Sequence, residues 1–463
     1  MKRLFRRWKW ILAVVVLLPL VLLGVGQWML SAQLAPEALV QRLESKFNCR
    51  AEVKAATGSI WSHPAKVQLT GLTLLPRDAD ADNARPLSER QPLDFASQAT
   101  GLFIDNASLE VSLWQLLTGD LAVEDLTVNV VTLRTNTTQD GVNSLRTMLQ
   151  RPATVAGKPN PAPSAAKAVS PKKPSGEKEA SKPVHVGDLP LASLLKAARI
   201  NHVRMDIRSE KRKEMLRLED ATIALDDIRV DPAELASSNH AKFGLTGKFQ
   251  VIGKRRMMYA DVGMTLSGDF SPFDAATGEL GSIPLSLDLQ PGSTLKEVAA
   301  LQRISQKMKR WEKYGLKFRP LPADVELKDG ARLDFDFHQG KFNSRGDFAL
   351  ALDNYDVVLA KGAALNLNDD ECLMEIRITA SKPVSEQTVR DFESSLREKY
   401  SAVGEVLFST VMKLFRENNL VLPDGRLSVP MGLSGSIQKP EVEDRVTPLL
   451  EKALLQSLIP TPN

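Results

Sequence analysis

The residues that could do covalent chemistry are few, and their spacing does not support it. Ser193-Leu-Leu-Lys196 sets a hydroxyl and an amine at the spacing of a serine nucleophile and lysine base, but no S-D-N or K-T-G segment accompanies it. Gly432-Leu-Ser-Gly-Ser436 misses the G-x-S-x-G order of a nucleophile elbow and sits in strand-like alternation. The histidines, His63, His185, His202, His240 and His338, are scattered, with no pair at metal-ligand spacing on a helix. Asn368-Asp-Asp-Glu371 gathers oxygen ligands without the spacing or glycine of a calcium loop, and reads as a solvated turn. There is no G-x-x-x-x-G-K-S/T and no G-x-G-x-x-G to cradle a phosphate. Cys49 and Cys372 are too few for a disulfide framework or a cysteine-rich metal site; one long-range bridge and two separate thiols are both open. The expectation is a protein that is not an enzyme and uses no metal or cofactor.

What remains is non-covalent chemistry, carried by apolar side chains at every second position. Val128 and Val130 alternate with Thr127 and Asn129, and Val203, Met205 and Ile207 with Arg204 and Asp206. Val262, Met264 and Leu266 alternate with Gly263 and Thr265, Leu285, Leu287 and Leu289 with Ser286 and Asp288, and Phe335 and Phe337 with Asp334 and Asp336. Period two puts each apolar set on one face of a strand. These residues are the candidates for contact with lipid tails. Further strands are expected around Val67–Thr70, Phe348–Leu352, Met374–Ile378 and Leu427–Leu433.

Sheets wetted on one face are antiparallel, and the continuous apolar strands of a doubly wound α/β fold are missing. The fold class expected is mainly β with α insertions. A short unit recurs at strand entries: Val123-Glu-Asp-Leu-Thr-Val-Asn-Val130, Ile200-Asn-His-Val-Arg-Met-Asp-Ile207, Leu218-Glu-Asp-Ala-Thr-Ile-Ala-Leu225 and, in part, Leu69-Thr-Gly-Leu-Thr-Leu74. Apolar residues at its first and fourth positions change parity midway, which requires a bulge or sharp bend at the Asp or Gly between them. About a dozen one-sided strands leave an apolar surface to be covered. Periodicity alone favours a closed sandwich over an open trough.

Helices are expected at Pro36–Phe47, near 294–314 from a Thr294–Glu297 capping box, near 385–417 from a Ser385 cap, and near 447–459 from Thr447-Pro448. The second carries Leu295, Val298, Leu301, Ile304, Met308 and Trp311 on one stripe and a basic opposite face, so it fits either a cover for the sheet or a helix lying on a membrane. Residues 151–187 hold seven prolines, seven basic and two acidic residues, a composition that cannot bury a core and reads as a linker. Trp10–Leu30 is a run of 21 uncharged residues behind Lys2, Arg3, Arg6, Arg7 and Lys9, about 30 Å long as a helix. Leu30 and Gln33 stand where a signal-peptide cleavage site needs small residues, so the run reads as an uncleaved transmembrane anchor with residues 1–9 cytoplasmic. The net charge of +4 is concentrated in this flank and the linker, leaving a net acidic remainder unsuited to nucleic acid. Four segments follow: 1–30 flank and anchor, 31–150 helix and β segment, 151–187 linker, and 188–463 a β-rich domain with the later helices.

Several stretches resemble the AsmA-like family of bacterial envelope proteins. They are the anchor, the helix Leu39–Phe47, Ala51-Glu-Val-Lys54 into Gly58-Ser-Ile-Trp61, and Val67-Gln-Leu-Thr-Gly-Leu-Thr-Leu74. Ser108–Val130, the turn Asp140-Gly-Val-Asn-Ser-Leu145 and the closing Leu433-Ser-Gly-Ser-Ile-Gln-Lys-Pro440 add to them. The resemblance covers residues 1–150 best, and beyond 188 only the alternation and the end. It implies a single-pass inner-membrane protein, N-terminus cytoplasmic and bulk periplasmic. Its strongly curved amphipathic sheet would form an open groove that passively binds or conducts lipid for outer-membrane biogenesis. The partners implied are membrane lipids and other envelope proteins; the alternative is a scaffold for outer-membrane protein assembly that carries no lipid.

Overall fold

The computed structural model describes residues 34–59, 62, 64–77, 92–112, 123–150, 185–186, 196–253, 256–437 and 439–458. Trp10–Leu30 and nearly all of the linker lie outside them. Among the described residues no helix is long and apolar enough to cross a membrane. The chain is mainly β, 50% strand and 23% helix, in one large, mostly antiparallel sheet that is not closed. Two compact units divide it: Met1–Lys242 with Ser271–Gly281, and Phe243–Phe270 with Ser282–Asn463.

The first unit opens with helix α1 (Pro36–Lys46), with proline in its first turn, then β1 (Cys49–Ser59), β2 (Ala65–Pro76), β3 (Gly101–Val111), β4 (Val123–Thr137), short α2 (Ser144–Leu149), β5 (Ala197–Ser209) and β6 (Glu214–Val230). Strands β1 to β6 pair in sequence order and antiparallel, except that β4 and β5 run parallel. A parallel pair needs a long crossover, and the stretch from Thr138 to Lys196 supplies it. The linker is therefore not where the compact units divide; strands from both sides of it share one unit. α1 and α2 bury Val40 and Met148 against Cys49, Ala51, Val53, Leu72 and Leu74. Cys49 is fully buried and unpaired, its thiol pushed up to about 11 by burial and by Glu44, and Cys372 is also free and buried. The linker's end is held: His185 Nε2 lies 3.1 Å from the Thr277 carbonyl, and Val186 packs with Val230 and Phe273.

β7 (Asn239–Ile252) begins in the first unit and ends in the second. The second unit continues with β8 (Met258–Phe270), β9 (Ile283–Leu289), β10 (Ser293–Leu295), α3 (Ala299–Lys309) with a 3-10 extension (Arg310–Tyr314), β11 (Val325–Leu327), β12 (Ala331–His338) and β13 (Lys341–Ser344). Then come β14 (Phe348–Ala351), β15 (Tyr355–Leu359), β16 (Ala364–Asn366), β17 (Glu371–Ala380), α4 (Lys382–Tyr400), α5 (Gly404–Glu417), β18 (Ser428–Ser436), β19 (Glu441–Asp444) and α6 (Thr447–Leu458). The ladder β8–β9–β12–β13–β16–β17–β18–β19 is antiparallel throughout, with β15 on the second half of β17 and β14 beyond it.

The helices differ from expectation in two places. The Thr294–Glu297 capping box does not form, because Ser293–Leu295 hydrogen-bonds as β10 between β8 and β11; Glu297 has φ 53 and its amide donates to Asp324. The helix starts at Ala299, and its Leu301, Ile304, Met308 and Trp311 are buried in the core, which settles its apolar stripe as a cover for the sheet. The segment near 385–417 is two helices. Ser381 is the N-cap of the first, Ser385 lies inside it, and the chain breaks at Ser401, φ 47. Gly404 lets α5 cross α4 closely, since a Cβ there would lie 2.5 Å from the Leu396 carbonyl oxygen.

Asp444 holds the helical cover to the sheet. Its carboxylate accepts from Trp311 Nε1 at 3.1 Å, from the amides of Val446 and Thr447 at 3.0 and 3.1 Å, and from the Thr447 hydroxyl, thereby capping α6. Burial alone would raise this carboxyl, but the donors from Thr447, Trp311 and Val446 outweigh it and hold it below the ordinary aspartate value. A depressed carboxyl contributes stability that is present above the unfolded pKa of about 4 and lost as pH falls through its lower folded value. Asp444→Ala, which also orphans the buried indole N–H, is expected to cost about 2–4 kcal/mol by urea denaturation at pH 7 and much less in strong acid. An unchanged midpoint at pH 7 would contradict this.

Candidate functional site

Opposed residues in a ladder point to the same face, so register shows which candidates are assembled. In the first unit two apolar rows cross all six strands: Ala51–Leu74–Leu102–Leu133–Met205–Leu218 and Val53–Leu72–Ile104–Val131–Val203–Ala221. Two more follow: Ala56–Leu69–Ala107–Val128–Ile200–Ile223 and Gly58–Val67–Leu109–Leu126–Ala198–Leu225. Between the second and third rows β1 to β5 each step by three residues where alternation would take two. The extra residues, Lys54, Gly71, Asp105, Val130 and His202, drop out of the register. Gly71, Val130 and His202 have φ 65, 51 and 53; in β6 the three-residue step falls one row over, at Asp220, φ 47.

This is the parity change that the recurring unit required, at Gly71 and Asp220 as expected, and also at His202, which holds the same third position of its unit. In β4 the register shift near its start omits Glu124, one residue from the expected Asp125, and a second irregularity comes at Val130. The crease returns the apolar residues to one face on both sides of it: Ala56 and Leu69 pack with the cluster that contains Val53 and Leu72. Gly71 is needed there, because a Cβ would overlap the Lys54 side chain at 2.5 Å. One candidate is corrected. Val130 does not share the face of Val128; it sits in the crease, 39% exposed, and Val131 takes its place in the row.

In the second unit the register gives Met264–Leu289–Ala331, Leu266–Leu287–Leu333, Leu285–Phe335 and Ile283–Phe337–Phe342–Leu365. Val262, two residues before Met264 on β8, continues the set. Phe342 lies 5.3 Å from Phe335 and 4.9 Å from Phe337, ring to ring. Strand reasoning on single segments missed Phe342 and Leu365, since β13 and β16, four and three residues long, are too short to show a period.

Coverage of the apolar face is uneven in each unit. α1 lies over β1, and α2 over β2 and the end of β4, where its Ser144 and Leu145 bond to Thr135 and Asn136; the buried cluster reaches Leu102 and Ile104 of β3 but includes no residue of β4, β5 or β6. The helices of the second unit bury Val357, Ile376, Ile378, Val429 and Met431; Leu289 and Ala331 border this core, whereas Val262, Met264, Leu266, Leu285, Leu287, Phe335 and Phe337 stand outside it. Val128, Val203, Val262, Leu285 and Phe335 are buried among their neighbours, and Met205, Ile207, Met264, Leu266, Leu287, Leu289 and Phe337 are half-buried.

The opposite face is ionic, and several of its charges pair with one another. Asp206, 5% exposed, accepts from Arg217 Nε at 2.6 Å. The Ser286 hydroxyl, Arg332 and Arg345 hold the Asp334 carboxyl below its usual value against a raising effect of burial. His202 Nδ1 lies 2.9 Å from Asp220 Oδ1. The Asn368–Glu371 segment turns between β16 and β17, with Asn366 donating to Asp369. No group of three or more metal-ligating side chains occurs among the described residues. A cleft of about 590 Å³ near β10 and β11 is lined by Leu295, Val325, Lys328 and Asp353, and the last two pair with each other at 3.0 Å.

No family model matches the chain. No curated protein and no solved structure matches it either.

The crease makes a local prediction. Val130 is a β-branched residue in a left-handed conformation, so Val130→Gly relieves strain that offsets the added chain entropy. It is expected to leave stability unchanged or raise it by up to about 1 kcal/mol, while Val131→Gly, one residue on, lowers it by about 1–2 kcal/mol. Equal losses in urea titrations of the two variants would place both side chains alike and refute the assignment.

Proposed function

We propose that the protein is an AsmA-like component of the bacterial envelope, anchored in the inner membrane by Trp10–Leu30, whose sheet binds lipid tails on its apolar face. The observation that carries this reading is the register. Rows of Val, Leu, Ile, Met and Phe run across consecutive strands on one side, and the buried helix-covered clusters take in only part of them. The resemblance of residues 1–150 supports the same reading.

The mechanism is passive. An acyl chain laid along the rows gains about 0.8 kcal/mol for each CH₂ removed from water. The crease keeps the two rows beyond it on the same face as the two before it, so the apolar strip is not interrupted along the strands. Headgroups stay in water at the open side of the groove, and direction comes from a partner or a concentration gradient. The ionic opposite face keeps the sheet soluble and gives lipid nothing to bind.

Photocrosslinking in intact cells tests the assignment by face. A benzophenone side chain at Leu266, Leu287 or Val131 is expected to yield lipid adducts on the purified protein, and the same group at Thr265 or Ser286 is not. Absence of adducts at all five positions would remove lipid carriage and leave the scaffold reading. Adducts on both faces would show labelling without a defined site.

A further inference from the structure

Residues 303–319 hold seven basic residues and one acid in a chain whose net charge is +4. They form α3, its 3-10 extension and the segment that follows. The burial of Leu301, Ile304, Met308 and Trp311 fixes the rotation of the helix and turns its cations outward. Phe318 is drawn inward too, its ring 5.7 Å from that of Trp311. Lys309, Arg310, Lys313, Lys317 and Arg319 are exposed and Lys307 is half-buried.

None of these six cations forms an ion pair among the described residues. On and beside the strands of the same unit several cations are matched to acids: Lys248 to Asp261, Arg332 to Asp334, Arg345 to Asp336, Arg445 to Glu375. The charge on α3 is therefore left over after the fold's internal pairing. Arg303, on the same helix, is used internally and donates to the Pro440 carbonyl.

We propose that this basic surface is a second membrane contact of the protein, lying on anionic phospholipid headgroups without inserting. Charge complementarity selects the occupant. Protein interfaces are centred on buried aromatic or aliphatic anchors. Here the apolar side chains are spent in the core, and Tyr314, half-buried, gives its hydroxyl to Glu451 and its ring face to Lys313. Several long cations with no apolar anchor suit a diffuse negative layer. The anchor-like run Trp10–Leu30 would keep such a layer within reach. The surface is separate from the apolar rows and does not depend on their binding lipid.

The test mixes the full chain with nanodiscs of phosphatidylcholine alone or with about 30% phosphatidylglycerol, and reads amine acetylation of each lysine by peptide mass spectrometry. Lys309, Lys313 and Lys317 are expected to react about three-fold more slowly with anionic discs and to recover near 1 M salt, where the screening length shrinks to about 3 Å. Lys248 and Lys328 serve as unaffected controls. Lys309→Glu with Lys317→Glu, both at exposed positions, is expected to abolish the slowing at Lys313. Equal rates with both kinds of disc would overturn the proposal and leave an acidic protein as the partner. Slowing by inorganic phosphate with phosphatidylcholine discs would overturn it in favour of a discrete anion site. Co-elution with phosphatidylcholine discs reports the anchor separately, so failure of one reading is not failure of the other.

Discussion

A strand can keep its apolar residues on one side only while its backbone keeps period two, and any bend threatens to turn half of them to the wrong face. The first unit depends on how that conflict is resolved. Five strands each insert one residue in the same place, three of them in a left-handed conformation, and the apolar rows resume in phase beyond it. Without the extra residue Val128, Ile200 and Leu69 would face the ionic side. The polar row beside the crease, where Asn201 donates to Asn129 at 2.8 Å, pins the register that the irregularity would otherwise loosen.

The second unit reaches the same one-sidedness by plain alternation and spends its helices at one end of the ladder. There a sequestered core forms around Trp311, Tyr355, Phe392 and Ile378, with Asp444 joining the 3-10 extension, β19 and α6. Its stability is separable in principle from the face formed by Met264, Leu266, Leu287 and Phe337. An apolar face can stay half-buried only where something else supplies the folding energy, and the helix-covered core does so within this unit.

The strands were legible because their apolar and polar residues alternate over five or more positions, and most candidates do share a face with their neighbours. The parity change was legible too, from apolar residues at first and fourth positions around Gly71 and Asp220; a histidine carries no such turn signal, and the bend at His202 follows from its place in the same unit. Val130 was misread because alternation from Leu126 gives no local sign of a second irregularity in β4; the shift is set by its neighbours' register. The Thr294 capping box failed for a related reason: its residues satisfied a local rule while β8 and β11 offered hydrogen bonds from both sides. The parallel pairing of β4 and β5 depends on a long crossover, whose destination no local pattern encodes.

The central claim, that the apolar rows are reachable from outside while the helix-covered core is not, is tested most directly by methionine oxidation in the delipidated protein, read residue by residue by mass spectrometry. Oxidation rate follows access to the thioether. Met205 and Met264, on the rows, are predicted to oxidise at rates approaching that of Met257, which is 45% exposed, with Met148, Met308 and Met431, each at most 3% exposed, far slower. Rates for Met205 and Met264 as slow as those of Met308 and Met431 would show a sealed face and contradict the account.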